Sequence, residues 1–158
     1  MLAKMDTDGH ICGYPNYTFM NDLVKSLNGE YAAIICYERL AKQAPSAEEK
    51  KRILEIRRDE IKHFKGFNNI YLTLTGRKFK PQIGEDCPQD YLAGIGESFK
   101  DEQETVDFYH EIADKVSDPY LKSQFRRFAA DEQNHAVWFS HFYFKNCCCP
   151  VGREGTEK

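Results

Sequence analysis

No stretch of this 158-residue chain is long and apolar enough to span a bilayer, which takes about 20 apolar residues. The most aromatic run, "VWFSHFYF" from Val137 to Phe144, is too short and too polar for that role. A basic excess is also missing. Lys and Arg number 22 against 25 Asp and Glu, a net charge of -3, which offers nothing to nucleic acid. The six cysteines include no Cys-x-x-Cys pair, so zinc ribbons and rubredoxin-like knuckles are excluded. Cys12, Cys36 and Cys87 are scattered, and Cys147, Cys148 and Cys149 are consecutive. A chain of this length buries about two-thirds of its unfolded surface and needs no disulfide scaffold. The expectation is therefore free thiols in a reducing, cytoplasmic compartment, with Cys36 a packing residue. The N-terminus "MLAKMDTDGHICGYPNY" lacks the apolar core of a secretory signal.

Strand signals are lacking too, and what is present is helical punctuation. A first helix is expected from Thr18 to Gln43, ended by "APS". Ser46 caps a second, with Glu49 completing a capping box, and Gly76 stops it after Thr75. Residues Gly76 to Pro88 hold two prolines and two glycines and read as a linker. A third helix covers Gln89 to Val116. Ser117 or Asp118 caps the fourth, which has Pro119 in its first turn and ends near Asn146. The fold class is all-α, a four-helix bundle. Residues 1–17 are an N-terminal extension, 18–146 the bundle and 147–158 a Cys-rich polar tail.

Each helix carries one seam stepped by threes and fours. Helix one offers Leu23, Leu27, Glu30, Ile34, Tyr37 and Ala41; helix two offers Ile53, Ile56, Glu60, His63, Phe67, Ile70 and Leu74. Helix three offers Ile95, Phe99, Glu102, Val106, Tyr109, Ala113 and Val116; helix four offers Leu121, Phe125, Phe128, Glu132, His135, Phe139 and Phe142. The halves align without a gap at an offset of 72, so Glu30 maps to Glu102, Glu60 to Glu132, His63 to His135 and Tyr37 to Tyr109. This register also selects Glu102 over Asp101 and Glu104, with Glu104 in reserve. Asp59, Asp101 and Asp131 fall on solvated faces, and His110 and His141 lie off the seams.

Polar residues thus interrupt all four seams at one level. Four carboxylates buried together cost several kcal/mol unless they are paired or bind cations, and no Lys or Arg shares the layer. Two divalent cations would neutralise it. Four-helix bundles build such centres from one Glu on each of two helices and Glu-x-x-His on the other two. The three-residue spacing puts carboxylate and imidazole on one helical face. A metal-free layer of protonated carboxylates and neutral histidines is the alternative.

On these motifs the chain, from Thr18 to Asn146, resembles the ferritin-like di-iron carboxylate superfamily, and within it the rubrerythrin-type branch. The resemblance implies a long crossover between helices two and three, which the linker is long enough to make. It also implies Glu60 and Glu132 bridging two metals, with Glu30, His63, Glu102 and His135 as terminal ligands. Tyr37 and Tyr109 would hydrogen-bond a terminal carboxylate or pass an electron, or else are packed core tyrosines. Thr105 stands where rubrerythrins carry a further carboxylate, and no rubredoxin-type cysteines occur.

The donor set suits two iron ions, with manganese possible and zinc a non-native occupant. Two metals about 3.5–4 Å apart can share the redox change of a small oxidant, dioxygen or hydrogen peroxide. The expectation is a ferroxidase- or peroxidase-like oxidoreductase with an external electron donor, in iron or oxidative-stress handling. A metal-binding protein without turnover, a structural metal-bearing bundle and a manganese catalase stay open. Neither nucleic acid nor membrane is an expected partner. A homodimer is expected through the aromatic band around Trp138.

Overall fold

A computed structural model describes residues 16–82 and 87–148. Its helices are α1 (Asn16–Gln43), α2 (Ala47–Thr75), α3 (Tyr91–Lys115) and α4 (Pro119–Cys148). The N-terminal extension, apart from Asn16 and Tyr17, and the tail beyond Cys148 lie outside the described residues.

Local chemistry sets the helix ends. Ser46 caps α2 by accepting from the Glu49 amide at 3.2 Å, and its hydroxyl donates to Glu49 Oε1 at 3.2 Å. Gly76 ends α2 at φ 69°, a left-handed turn that favours glycine. Asp90 accepts from the Ala93 amide at 2.9 Å, so α3 starts two residues later than expected. Of the two candidates for α4, Asp118 is the cap, accepting from the Leu121 amide at 2.9 Å.

The direction of each helix follows from what its ends touch. Glu49, at the start of α2, accepts from Tyr91 Oη at 2.7 Å and from Asn146 Nδ2 at 2.9 Å. The first turns of α2 and α3 and the last turn of α4 therefore share one end of the bundle. That makes α2 and α3 parallel, and the segment joining them runs the full length of the molecule. It starts back along α2 and passes to α1: the Phe79 amide donates to Asn68 Oδ1 of α2 (3.0 Å) and the Gln82 amide to Asn28 Oδ1 of α1 (3.1 Å). Further along, Gln43 Nε2 donates to the Gln89 carbonyl at 3.0 Å.

Cys36 of α1 and Cys87 of the crossover form a disulfide. This corrects the expectation of free thiols, and of Cys36 as packing alone. Residues 51 apart in sequence meet because the crossover returns along α1. Reduction should cost about 2–4 kcal/mol through the released loop entropy. The check is a thermal melt with and without a phosphine reductant, where the reduced protein should melt several degrees lower and still unfold as one bundle.

Two apolar clusters fill the core, one at each end. Phe19, Leu23, Phe67, Tyr109 and Phe125 anchor the first; Tyr37, Ile53, Ile95 and Phe139 anchor the second. The seams are buried as expected with three exceptions. Ile34 and Leu74 are half-buried, and Phe99 is 36% exposed while Ser98 beside it is buried. For Phe99 the cause is the close approach of α3 to α1. A Cβ on Gly94 would lie 2.6 Å from Leu40 Cδ1, so small residues occupy this contact and a phenyl ring is turned outward. Trp138 is half-buried, with the Arg52 guanidinium 4.1 Å above its ring, and the exposed apolar residues near it in the sequence of α4 are Val137, Tyr143 and Phe144. Among the described residues no helix is long and apolar enough to cross a membrane.

Candidate metal centre

Between the two apolar clusters lies one polar layer. Glu30 of α1, Glu60 and His63 of α2, Glu102 of α3, and Glu132 and His135 of α4 meet there, each between 1% and 4% exposed. Among the described residues no lysine or arginine is buried with them. Each imidazole turns Nδ1 toward three carboxylates. His63 Nδ1 lies 2.9 Å from Glu132 Oε1, 3.2 Å from Glu60 Oε2 and 3.7 Å from Glu30 Oε2. His135 Nδ1 lies 2.9 Å from Glu60 Oε1, 3.1 Å from Glu132 Oε2 and 3.6 Å from Glu102 Oε2.

Two overlapping quartets result. Glu30, Glu60, His63 and Glu132 place ligand atoms within 4.8 Å of one another, and so do Glu60, Glu102, Glu132 and His135. Glu60 and Glu132 belong to both. Despite these short separations, Glu60 Oε1, Glu132 Oε1 and His63 Nδ1 have no hydrogen-bond partner of acceptable geometry. Their lone pairs converge on shared points instead of on a neighbour's proton, which is the geometry a cation would satisfy. Four carboxylates and two imidazoles fit a pair of divalent ions in both charge and donor type.

Protons fill the layer in the absence of metal. Burial, reinforced by neighbouring carboxylate charge, raises Glu30 and Glu102 well above the usual carboxylate range. Burial alone would lower His63 and His135, but the carboxylates close around each imidazole outweigh it and raise both strongly. Glu132 is lowered: burial opposes this, and the facing His135 and His63 imidazoles outweigh it.

A ring of polar partners surrounds the six. Tyr37 Oη donates to Glu102 Oε1 at 2.6 Å, and Tyr109 Oη donates to Glu30 Oε1, so each tyrosine crosses from one hairpin to the other. Burial raises both phenols well above their ordinary value. The outer nitrogens of the imidazoles face Asp131 (His63 Nε2 to Oδ2, 3.4 Å) and Asp59 (His135 Nε2 to Oδ2, 3.6 Å).

This corrects the placement of Asp59 and Asp131 on solvated faces alone. Both are partly exposed, yet each reaches the histidine of the opposite hairpin. The signal was available, since each directly precedes a layer glutamate and the 72-residue offset pairs them. His110, His141 and Glu104 are exposed and stand outside the quartets, and Cys147 is a free, exposed thiol.

The layer is reached from one side. A pocket of about 800 Å³ between α1 and α3 is lined by Glu30, Glu60, Glu102 and Glu132. Thr105 and both disulfide cysteines also border it.

Over 123 residues the chain is 48% identical to the uncharacterized protein YhjR of Bacillus subtilis (strain 168), covering 78% of this chain and 85% of that one. The family model described as Rubrerythrin matches residues 95–146, most of α3 and α4. The chain belongs to the rubrerythrin family.

Two solved structures share the fold of this rubrerythrin-family chain. A ferritin-like di-iron-carboxylate protein from Bacillus anthracis str. Ames superposes with a TM-score of 0.70 at 20% identity, over 88% of this chain and 99% of that one. A hypothetical protein from Pyrococcus furiosus gives 0.67 at 20% identity, over 84% and 96%. In this rubrerythrin-family site the two aspartates should tune metal affinity through the imidazoles they orient. Asp59→Ala or Asp131→Ala should weaken ferrous binding by about 10–100-fold. Anaerobic titration checks this, and unchanged affinity would reduce them to surface residues.

Proposed function

We propose that this protein is a di-iron oxidoreductase that reduces dioxygen or hydrogen peroxide. The observation that carries the reading is the pair of quartets sharing Glu60 and Glu132. Glu60 and Glu132 would bridge two irons, Glu30 and His63 would complete one site, and Glu102 and His135 the other. Iron held by these six residues would contribute redox chemistry toward a small oxidant.

The chain's own residues do the rest. Tyr37 and Tyr109 hold Glu102 and Glu30 by hydrogen bonds, which fixes the terminal carboxylates and keeps a proton at each phenol oxygen. Asp59 and Asp131 hold the imidazoles with Nδ1 inward. The apolar clusters above and below keep the layer dry, while the α1/α3 pocket admits a small molecule. No side chain need form a covalent bond to the oxidant. A cytoplasmic setting belongs to this reading, as does an external reductant. Exposed Val137 and Phe144 support a homodimer through that face of α4.

The test is an anaerobic ferrous titration followed by an air or peroxide pulse. Saturation near two ferrous ions per chain is expected, with near-ultraviolet absorbance on oxidation. Binding without oxidation would leave a sequestering or structural site. Peroxide disproportionation without added reductant, in the manganese-loaded protein alone, would make it a manganese catalase. Absence of stoichiometric binding would return the layer to a metal-free polar core.

A further inference from the structure

We propose that Cys36 and Cys87 are a redox-active dithiol/disulfide pair that supplies two electrons to the pocket at the metal centre, so that the chain works as a thiol-dependent peroxidase. The proposal rests on the di-iron reading and names the electron source that reading leaves open.

Placement is the first argument. Both cysteines border the pocket that Glu30, Glu60, Glu102 and Glu132 line. Cys36 directly precedes Tyr37, whose hydroxyl is bonded to Glu102, so the pair and the layer are joined through one residue of α1. Cys36 is half-buried and borders the pocket, whereas Cys87 is 4% exposed, so Cys36 is the more accessible residue of the pair to an attacking thiolate.

The second argument is what holds the crossover. It is tied to the bundle by Phe79 to Asn68, Gln82 to Asn28 and Gln43 to Gln89, and α3 is pinned through Tyr91 to Glu49. With two complete apolar clusters, the fold needs no covalent staple. When the S–S bond opens, these bonds keep Cys87 beside Cys36. A pair held close in both states can cycle.

The electrons balance. The two thiols lose two protons and two electrons as the S–S bond forms. Hydrogen peroxide takes up two protons and two electrons as its O–O bond breaks, giving two waters. A small-molecule or protein dithiol then restores the pair by exchange through a mixed disulfide.

The experiment uses the full chain with Cys12, Cys147, Cys148 and Cys149 replaced by serine, so that only this pair is counted. The protein is reduced, loaded anaerobically with ferrous iron and given one equivalent of hydrogen peroxide. It is then quenched with an alkylating agent and read by mass spectrometry, with near-ultraviolet absorbance recorded in parallel. The expected result is loss of both thiols, roughly tenfold faster than in the metal-free protein. Iron oxidation with both thiols intact would overturn this proposal alone, as would closure at the same rate without iron. Failure of the iron to bind or oxidise would overturn the di-iron reading and the proposal with it.

Discussion

Exchanging Glu60, His63, Glu132 and His135 together for leucine should abolish stoichiometric ferrous binding and make the metal-free bundle more stable. Both quartets lose three of their four members, so neither site keeps enough ligands to hold an ion. Stability moves the other way. The native layer buries four carboxyl groups and two imidazoles, each at most 4% exposed, and leaves Glu60 Oε1 and Glu132 Oε1 without partners. Leucine has nearly the same volume as glutamate and no charge to desolvate. It would also join the apolar clusters above and below. Replacing buried ionic groups by hydrophobes of similar size is commonly worth about 1–4 kcal/mol. Urea denaturation of the two metal-free proteins measures the difference. A less stable variant would mean that the layer's own hydrogen bonds hold it together, which is the metal-free polar core.

The metal-free protein should be most stable in mild acid and lose stability toward pH 8. Glu30 and Glu102 bind their protons more tightly folded than unfolded. Their contribution is full below the unfolded carboxylate value and is lost as pH rises toward the folded one. His63 and His135 follow the same sign, with stability full below about 6.5 and lost as pH climbs toward their raised values. Glu132 opposes them, since its lowered value gives stability above the ordinary carboxylate pKa that is lost in stronger acid. The maximum should fall near about pH 4–5, with a decline on the order of a few kcal/mol by pH 8.

Iron reverses the slope. Binding requires the four raised groups to give up protons, so ferrous-loaded protein should gain stability over the same interval and release protons as it loads. Urea midpoints at pH 5.5 and pH 8, taken anaerobically with and without ferrous iron, test both statements. A metal-free midpoint that rises with pH would show that these groups are not protonated in the fold.

Much of this site was legible before any coordinates. The six layer residues sit where the three-and-four stepping of the seams puts them, because a helix turns by a fixed angle per residue and a buried stripe needs that period. The internal repeat added what periodicity cannot, choosing Glu102 among three neighbouring acids. Phe99 shows the limit of the pattern. Its position fits the stripe, yet the close contact of Gly94 with Leu40 favours Ser98 at the interface.

Sequence by itself determined the four helices, the level at which their polar residues meet, and the two-fold likeness of the halves. These follow from local propensity and from spacing along single helices. Tertiary structure alone decided three further things. Asp59 and Asp131 reach across to the histidine of the opposite hairpin. Tyr37 and Tyr109 exchange partners, each bonding the glutamate of the other half. Cys36 meets Cys87 because the crossover lies back along α1. All three are contacts between segments far apart in the chain, and their distances depend on how the helices pack, which no periodicity within one helix records.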